Sequence, residues 1–368
     1  MSTSAANPFS DPYIDKLRAQ GQSIIELASG RRIALPTSLG FCHGVRHAVQ
    51  LLANTVAAAP QRDIWLLGAM IHNPAVNNYF VEQGVKMLDD HELDTVFTRA
   101  KPSDIFVIPA FGLDCALDER LRAFVQSPGQ IVDSTCPFVR RVWQAVEKAA
   151  GNGAAIVIHG KPGHQETIGI WSRASKAAPA VALVPSPAAA RQLLDALPPA
   201  APAAGYPPAW LANAERLSHC DWVLVNQTTM LCRETEEVAA LLANTGGDKR
   251  HGTFTMANTI CSATRARQAE AEKLCAQAHE VILVLGGINS SNTTQLYRLA
   301  IKHSKTYYLQ TPDDLHSHAI HHYLPNEQQW CDSSEWLPPP PATIGILVGA
   351  SCPDSEIAAL IRKLQACA

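Results

Sequence analysis

Residues 280–303 read EVILVLGGINSSNTTQLYRLAIKH. The first eight form an apolar run closed by two glycines, the pattern of a short strand buried on both faces. The residues from Thr293 to His303 carry their apolar positions at helical spacing and predict a helix. Between the two stand Ser290, Ser291 and Asn292. Their plain role is to cap the helix. A more chemical role is an anion seat, with side-chain donors and free backbone amides at a helix N-terminus holding phosphate oxygens. A buried strand, a polar turn and a helix in succession is the building block of a parallel α/β sheet.

The same block recurs along the chain. Strands are expected at 63–70, 104–110, 130–136, 154–160, 180–186, 221–227, 280–287 and 342–350, and helices at 138–150, 233–245, 264–278, 293–303 and 355–367. Another helix is expected just after GFCHGV at 40–45. The alternation argues for an α/β fold with parallel sheets. Two proline-rich stretches, 196–210 and 332–342, interrupt it and read as surface insertions or connectors. A short echo, GFC, DSTC and NTIC, ends three extended runs in a cysteine and hints at repeated lobes.

Composition narrows the class. The 368 residues are 47% hydrophobic and 17% charged with a net charge of −3, enough apolar material for two or three lobes and no basic bias. Nucleic acid and membrane surfaces are therefore not expected partners. No apolar run is long enough for a membrane span, and the opening MSTSAANPFSDPY is unlike a secretory or transit leader. Ten cysteines are too sparse for a secreted disulfide scaffold, so a cytoplasmic chain with reduced thiols is expected. No CxxC pair occurs, so any metal site must draw on cysteines far apart in sequence.

The polar residues gather at one edge. MIHNPAVN, PAFG, DSTCPFVRRVW, HGKPGHQETIG, NQTTM, NTICSAT, GGINSSNTTQL and VGASCPD each follow an expected strand, where open α/β sheets bind ligands. His72, His164, Thr228, Thr229 and Ser351 are candidate donors to the anion held by Ser290, Ser291 and Asn292. Glu166, two residues after His164, is a candidate proton relay. Each has a plain alternative: a satisfied turn histidine, a structural threonine, a capping or solvated carboxylate. Lys161 reads as a solvated surface lysine. No GxGxxG or GK[ST] loop is present, which argues against a nucleotide site.

Taken in order, GFCHGV, IHNPAVN, PAFG, DSTCPFV, HGKPGHQET, QTTM, NTICSAT, NSSN and GASCPD resemble the 4-hydroxy-3-methylbut-2-enyl diphosphate reductases, the LytB family. The resemblance runs from Gly40 to about residue 360, and its wording is that of the plant and cyanobacterial branch. It implies three similar α/β lobes with small, mostly parallel sheets around a central iron–sulfur cleft. A stretch before residue 40 would be an N-terminal extension. The lobes would span 40–136 with Cys42, 137–260 with Cys136 at its start, and 261–368 with Cys261. It also implies one 4Fe–4S cluster held by Cys42, Cys136 and Cys261, the fourth iron left open as a Lewis acid.

In such a protein Glu166 and Thr228 supply protons. His72, His164, Thr228, Ser290, Ser291, Asn292 and Ser351 hold an allylic diphosphate, and an external one-electron donor, ferredoxin or flavodoxin, feeds the cluster. Four departures from the family pattern stand out: Phe111 in place of a phosphate-binding histidine, His43 and Arg46 beside Cys42, and Ser262 after Cys261. Other readings of the same residues are a diverged paralogue, a cluster-based sensor, or a zinc hydrolase with Glu166 as its base.

Overall fold

The computed structural model describes residues 7–197, 206–245 and 251–367. The strand expected at 280–287 forms as Val281–Leu285, every residue of it buried. It lies between two parallel neighbours, Lys305–Leu309 and Thr343–Val348. Thr343–Val348 pairs in turn, in parallel, with Arg32–Ala34, to which Ile24–Glu26 adds an antiparallel edge. Residues read in sequence as an extension before Gly40 thus complete a five-stranded sheet. A hairpin of Ala319–Leu324 and Gln329–Ser334 forms a separate two-stranded sheet.

Two further sheets follow the same plan. Lys86–Leu88, Ile64–Leu67, Ile105–Ile108 and Ile131–Asp133 form a four-stranded parallel sheet. Phe254–Met256, Trp222–Asn226, Ala155–His159 and Val181–Leu183 are parallel in a five-stranded sheet, which Leu211–Ala212 closes with an antiparallel edge. The architecture is α/β with small, mostly parallel sheets, as expected. The physical reason is the one read at 280–287: Ile64–Leu67, Ile105–Ile108, Ala155–His159 and Thr343–Val348 are buried throughout, so both faces must be apolar.

By internal packing the chain falls into two compact units. One comprises the described residues of Met1–Arg46, Ile71–Tyr79 and Ser262–Ala368, the other those of His47–Met70 and Phe80–Cys261. We call them the first and second unit. The first holds the sheet around Val281–Leu285, and the second holds the other two large sheets.

The proline-rich connectors are pinned by aromatic side chains. Trp336 is buried in the core of the first unit and donates its indole N–H to the His316 carbonyl at 2.9 Å. In the other connector, most of which lies outside the described residues, buried Tyr206 donates its hydroxyl to the Leu183 carbonyl at 2.6 Å. Among the described residues, no helix is long and apolar enough to cross a membrane.

Candidate active site

In the second unit the loaded turns are wired to one another. Helix Gln165–Ala177 begins at His164, whose Nδ1 accepts the Glu166 amide at 3.1 Å. Accepting there leaves Nε2 as the ring's donor. Glu166 itself is 1% exposed. Its Oε1 accepts the Thr228 amide at 2.7 Å, and its Oε2 pairs with the Thr228 hydroxyl at 3.0 Å. Burial pushes its carboxyl up to about 7, against the two hydrogen bonds from Thr228 that favour the carboxylate. A carboxyl that is half protonated near neutrality suits a proton donor.

Two cysteines join this pair. The Thr228 carbonyl accepts the Cys261 amide at 3.1 Å. The Cys136 amide donates at 2.9 Å to the carbonyl of Ala110, next to Phe111, and the Phe111 ring meets the His164 ring edge-on at 5.5 Å. A continuous line of contacts therefore runs from Cys136 through Phe111, His164, Glu166 and Thr228 to Cys261. Phe111 therefore packs beside His164. Gly112 follows it at φ +77°, a conformation glycine adopts freely, and a Cβ there would lie 2.4 Å from the Trp143 ring.

Gln227 is the residue sequence reasoning passed over here. Its Oε1 accepts from the Lys161 amide at 2.9 Å and the Thr167 hydroxyl at 3.2 Å, while its Nε2 donates to Thr229 Oγ1 at 2.9 Å. It thereby ties the loop before Glu166 to the loop that carries Thr228. Thr229 serves this brace. The only advance signal was a glutamine directly after a buried strand, and that alone is weak.

The first unit holds the other group. Ser290 caps helix Ser291–Ala300 by accepting the Thr293 amide at 3.3 Å. Asn292 is 3% exposed and accepts the Ala350 amide on Oδ1 at 3.0 Å. The Ala350 carbonyl accepts the Cys42 amide at 3.1 Å, so one peptide group separates Cys42 from Asn292. Ser351 donates its hydroxyl to the His72 carbonyl at 3.1 Å. That carbonyl presses so closely on Gly287 that a Cβ would come within 2.1 Å of it.

His72, Ser290, Ser291, Asn292 and Ser351 are thus tied together by short contacts among three segments. Buried within this group, Ser291 Oγ and Asn292 Nδ2 have no hydrogen-bond partner among the described residues. Unpaired buried donors cost about 1–3 kcal/mol each, which a bound anion would recover. His164, Thr228 and Glu166 belong to the second unit.

Cys42, Cys136 and Cys261 are each half-buried, and each directly precedes a helix: His43–Ala58, Pro137–Gly151 and Ser262–Cys275. None of these helices has an acidic side chain in its first turn. Among the described residues no three His, Cys, Asp or Glu side chains form a metal-binding group. Cys42 belongs to the first unit, and Cys136 and Cys261 to the second. Of the departures from the family pattern, His43, Arg46 and Ser262 are all exposed.

An α/β chain with unpaired buried donors at a helix N-terminus, a buried acid and three helix-leading cysteines has a match among known families. The family model described as LytB protein matches residues 33–365. The chain belongs to this family. Two relatives, each 33% identical, come from Parasynechococcus marenigrum (strain WH8102) and Thermosynechococcus vestitus (strain NIES-2133 / IAM M-273 / BP-1). Both are 4-hydroxy-3-methylbut-2-enyl diphosphate reductases. Those alignments cover 92% and 91% of this chain and 87% and 84% of the relatives.

A solved structure of (E)-4-hydroxy-3-methyl-but-2-enyl diphosphate reductase, the terminal enzyme of the non-mevalonate pathway, superposes with a TM-score of 0.56 at 26% identity. It covers 91% of this chain and 99% of that one. The Plasmodium falciparum E-1-hydroxy-2-methyl-but-2-enyl-4-diphosphate reductase shares the fold, with a TM-score of 0.66 at 20% identity over 90% of this chain and 86% of that one.

Proposed function

We propose that this protein reduces (E)-4-hydroxy-3-methylbut-2-enyl diphosphate to isopentenyl and dimethylallyl diphosphate, the last step of the non-mevalonate isoprenoid pathway. The observation that carries the reading beyond family membership is the Glu166–Thr228 pair, buried and bonded to the backbone of Cys261. The reaction removes an allylic hydroxyl: the C–O bond breaks, two electrons and two protons enter, and water leaves.

Cys42, Cys136 and Cys261 fit as cluster ligands because each thiol leads a helix free of acidic side chains in its first turn. A 4Fe–4S cluster held by three thiolates would pass electrons one at a time and offer its fourth iron as a Lewis acid. The chain's own residues do the rest. Neutral Glu166 donates through Oε2 to the Thr228 hydroxyl, whose own proton is then free to turn outward. The pair thus delivers a proton to the departing oxygen without exposing the carboxyl to water.

Ser290, Ser291, Asn292, Ser351 and His72, together with His164, hold the diphosphate. Ser291 Oγ and Asn292 Nδ2 are the donors left unpaired for it. Ferredoxin or flavodoxin, acting in the cytoplasm, is the external electron source in this reading, with neither nucleic acid nor membrane as a partner.

Anaerobic purification followed by turnover with a one-electron donor tests the reading. Brown protein that converts the diphosphate substrate to the two products is the expected result. A colourless zinc protein, or a brown one with no turnover, overturns it in favour of a hydrolase or a sensor respectively.

A further inference from the structure

Behind the anion seat of the first unit lies a second buried acid that no motif singled out. Glu356, in the first turn of helix Asp354–Ala366, is 9% exposed. Its Oε2 accepts Asn73 Nδ2 at 2.8 Å and is approached by the fully buried Cys352 thiol at 3.6 Å. Asn73 uses its other side-chain atom, Oδ1, to accept the Val76 amide at 3.0 Å, and its own amide donates to Ile71 at 2.8 Å. Its geometry is therefore fixed at three points. The residue before it is His72, whose carbonyl takes the Ser351 hydroxyl and lies against Gly287. Glu356 thus secures, through one side chain, the turn that three seat segments share.

A glutamine would provide the same hydrogen bond without a titratable group. Instead an acid is buried beside a thiol, and burial pushes it up to about 7. Asp314 also faces it and pushes in the same direction. Around Cys352 stand Arg267, which favours the thiolate, and Asp354, which opposes it. Burial dominates there and holds the thiol well above its ordinary range, so it stays neutral and adds no charge. Glu356 is then the group in this pocket whose charge changes near neutral pH. Its ionised form places a negative charge behind a seat built for an anion.

We propose that Glu356 is a positioning residue of the anion seat: it holds the His72–Asn73 turn in the binding arrangement through Asn73, and its ionisation, which sets a negative charge beside that turn, weakens anion binding. Proton and anion therefore favour each other, and by linkage the anion draws a proton onto Glu356. This rests on the seat assigned above.

The test uses inorganic diphosphate as the probe, titrated into the intact protein and into Glu356→Gln, with Kd measured from pH 5.5 to 8.5. Taking the ratio of the two Kd values removes the probe's own protonation. The ratio of wild type to variant is expected to lie near one at pH 5.5 and to rise about fivefold or more by pH 8.5, the ordinary size of a coupling between sites. Calorimetry in two buffers of different ionisation enthalpy should show more proton uptake on binding in the wild type than in Glu356→Gln near pH 7.

A ratio that stays constant across pH, while Asn292→Ala still weakens binding, overturns the role of Glu356 and leaves the seat standing. Diphosphate binding that is absent, or indifferent to Asn292→Ala, overturns the seat itself and this proposal with it. Glu356→Leu, which also removes the bond to Asn73, should bind weakly at every pH. Should that variant not fold, the glutamine series alone decides.

Discussion

Glu166 and the Ser291–Asn292 pair, one in each unit, are buried polar groups treated in opposite ways. In the second, both oxygens of the buried Glu166 carboxyl are taken by Thr228. In the first, the equally buried Ser291 hydroxyl and Asn292 amide nitrogen face no partner among the described residues. A satisfied group keeps its geometry whether or not a ligand is present, as a proton donor must. An unsatisfied one holds free energy in reserve that a complementary ligand atom would release. The same fold elements carry both, since each group sits where a parallel strand passes into a helix. What differs is whether the neighbouring loop supplies the complementary atom.

The largest effect expected from breaking this contrast is on the satisfied side. Glu166→Gln keeps the size of the side chain and its acceptor oxygen for the Thr228 amide but carries no transferable proton. Turnover should fall by about 100- to 10,000-fold, the usual contribution of general acid–base help. Visible absorption and diphosphate affinity should be preserved. Near-normal turnover in a protein with full absorption would remove Glu166 from the proton path.

Stability against pH gives the next largest effect, with a definite sign. Glu166 and Glu356 are both pushed up to about 7 from an ordinary value of 4.5. Between those values the folded protein binds more protons than the unfolded chain, so stability falls as pH rises. The contribution is fully present below pH 4.5 and is lost as pH rises through about 7. It amounts to about 3 kcal/mol for each group, at 1.36 kcal/mol per pKa unit. Replacing either by glutamine should flatten the decline in denaturant midpoint between pH 5 and pH 8. An unchanged decline in Glu166→Gln would mean that its carboxyl is not desolvated.

The contrast also shows what could be read in advance. The eight apolar runs became strands because parallel strands buried on both faces cannot hide their composition. Ile24–Glu26, Arg32–Ala34, Lys86–Leu88 and Phe254–Met256 were not foreseen, since each has exposed residues and none stands in an apolar run of strand length. The hairpin 319–334 was missed for another reason: its HH and DSS runs are polar, although His322 is buried. Glu166 could be singled out because it stands in a glycine-bounded stretch beside a histidine, a stretch read as a loop that in the structure opens helix Gln165–Ala177.

Glu356 was not legible. A glutamate in the first turn of a helix ordinarily faces water and complements the helix dipole. Only the fold shows that Asn73, 283 positions away in sequence, closes over it. Gln227 and Asn73 share this property. Each acts by bracing one loop against another, and the brace exists only once distant segments have met.

The smallest effect is the most discriminating. Asn292→Ala changes two things at once, since it removes the unpaired Nδ2 and also frees the Ala350 amide that Oδ1 now accepts. It should weaken anion binding by about 10- to 100-fold, the value of a hydrogen bond to a charged group, and also lower stability. Ser291→Ala is cleaner. Its hydroxyl is buried, makes no bond, and its loss leaves little space. Without ligand the variant should be as stable as the wild type or more so, by up to about 1 kcal/mol, because an unpaired buried polar group has been deleted. Diphosphate affinity should nevertheless fall. The matching truncation on the satisfied side, Thr228→Val, should do the reverse to stability, costing about 1–3 kcal/mol by leaving one Glu166 oxygen without its partner. Thermal melts of the two variants with and without diphosphate decide the matter. If Ser291→Ala destabilises the ligand-free protein as Thr228→Val does, its hydroxyl is structural and the seat loses one of its two waiting donors.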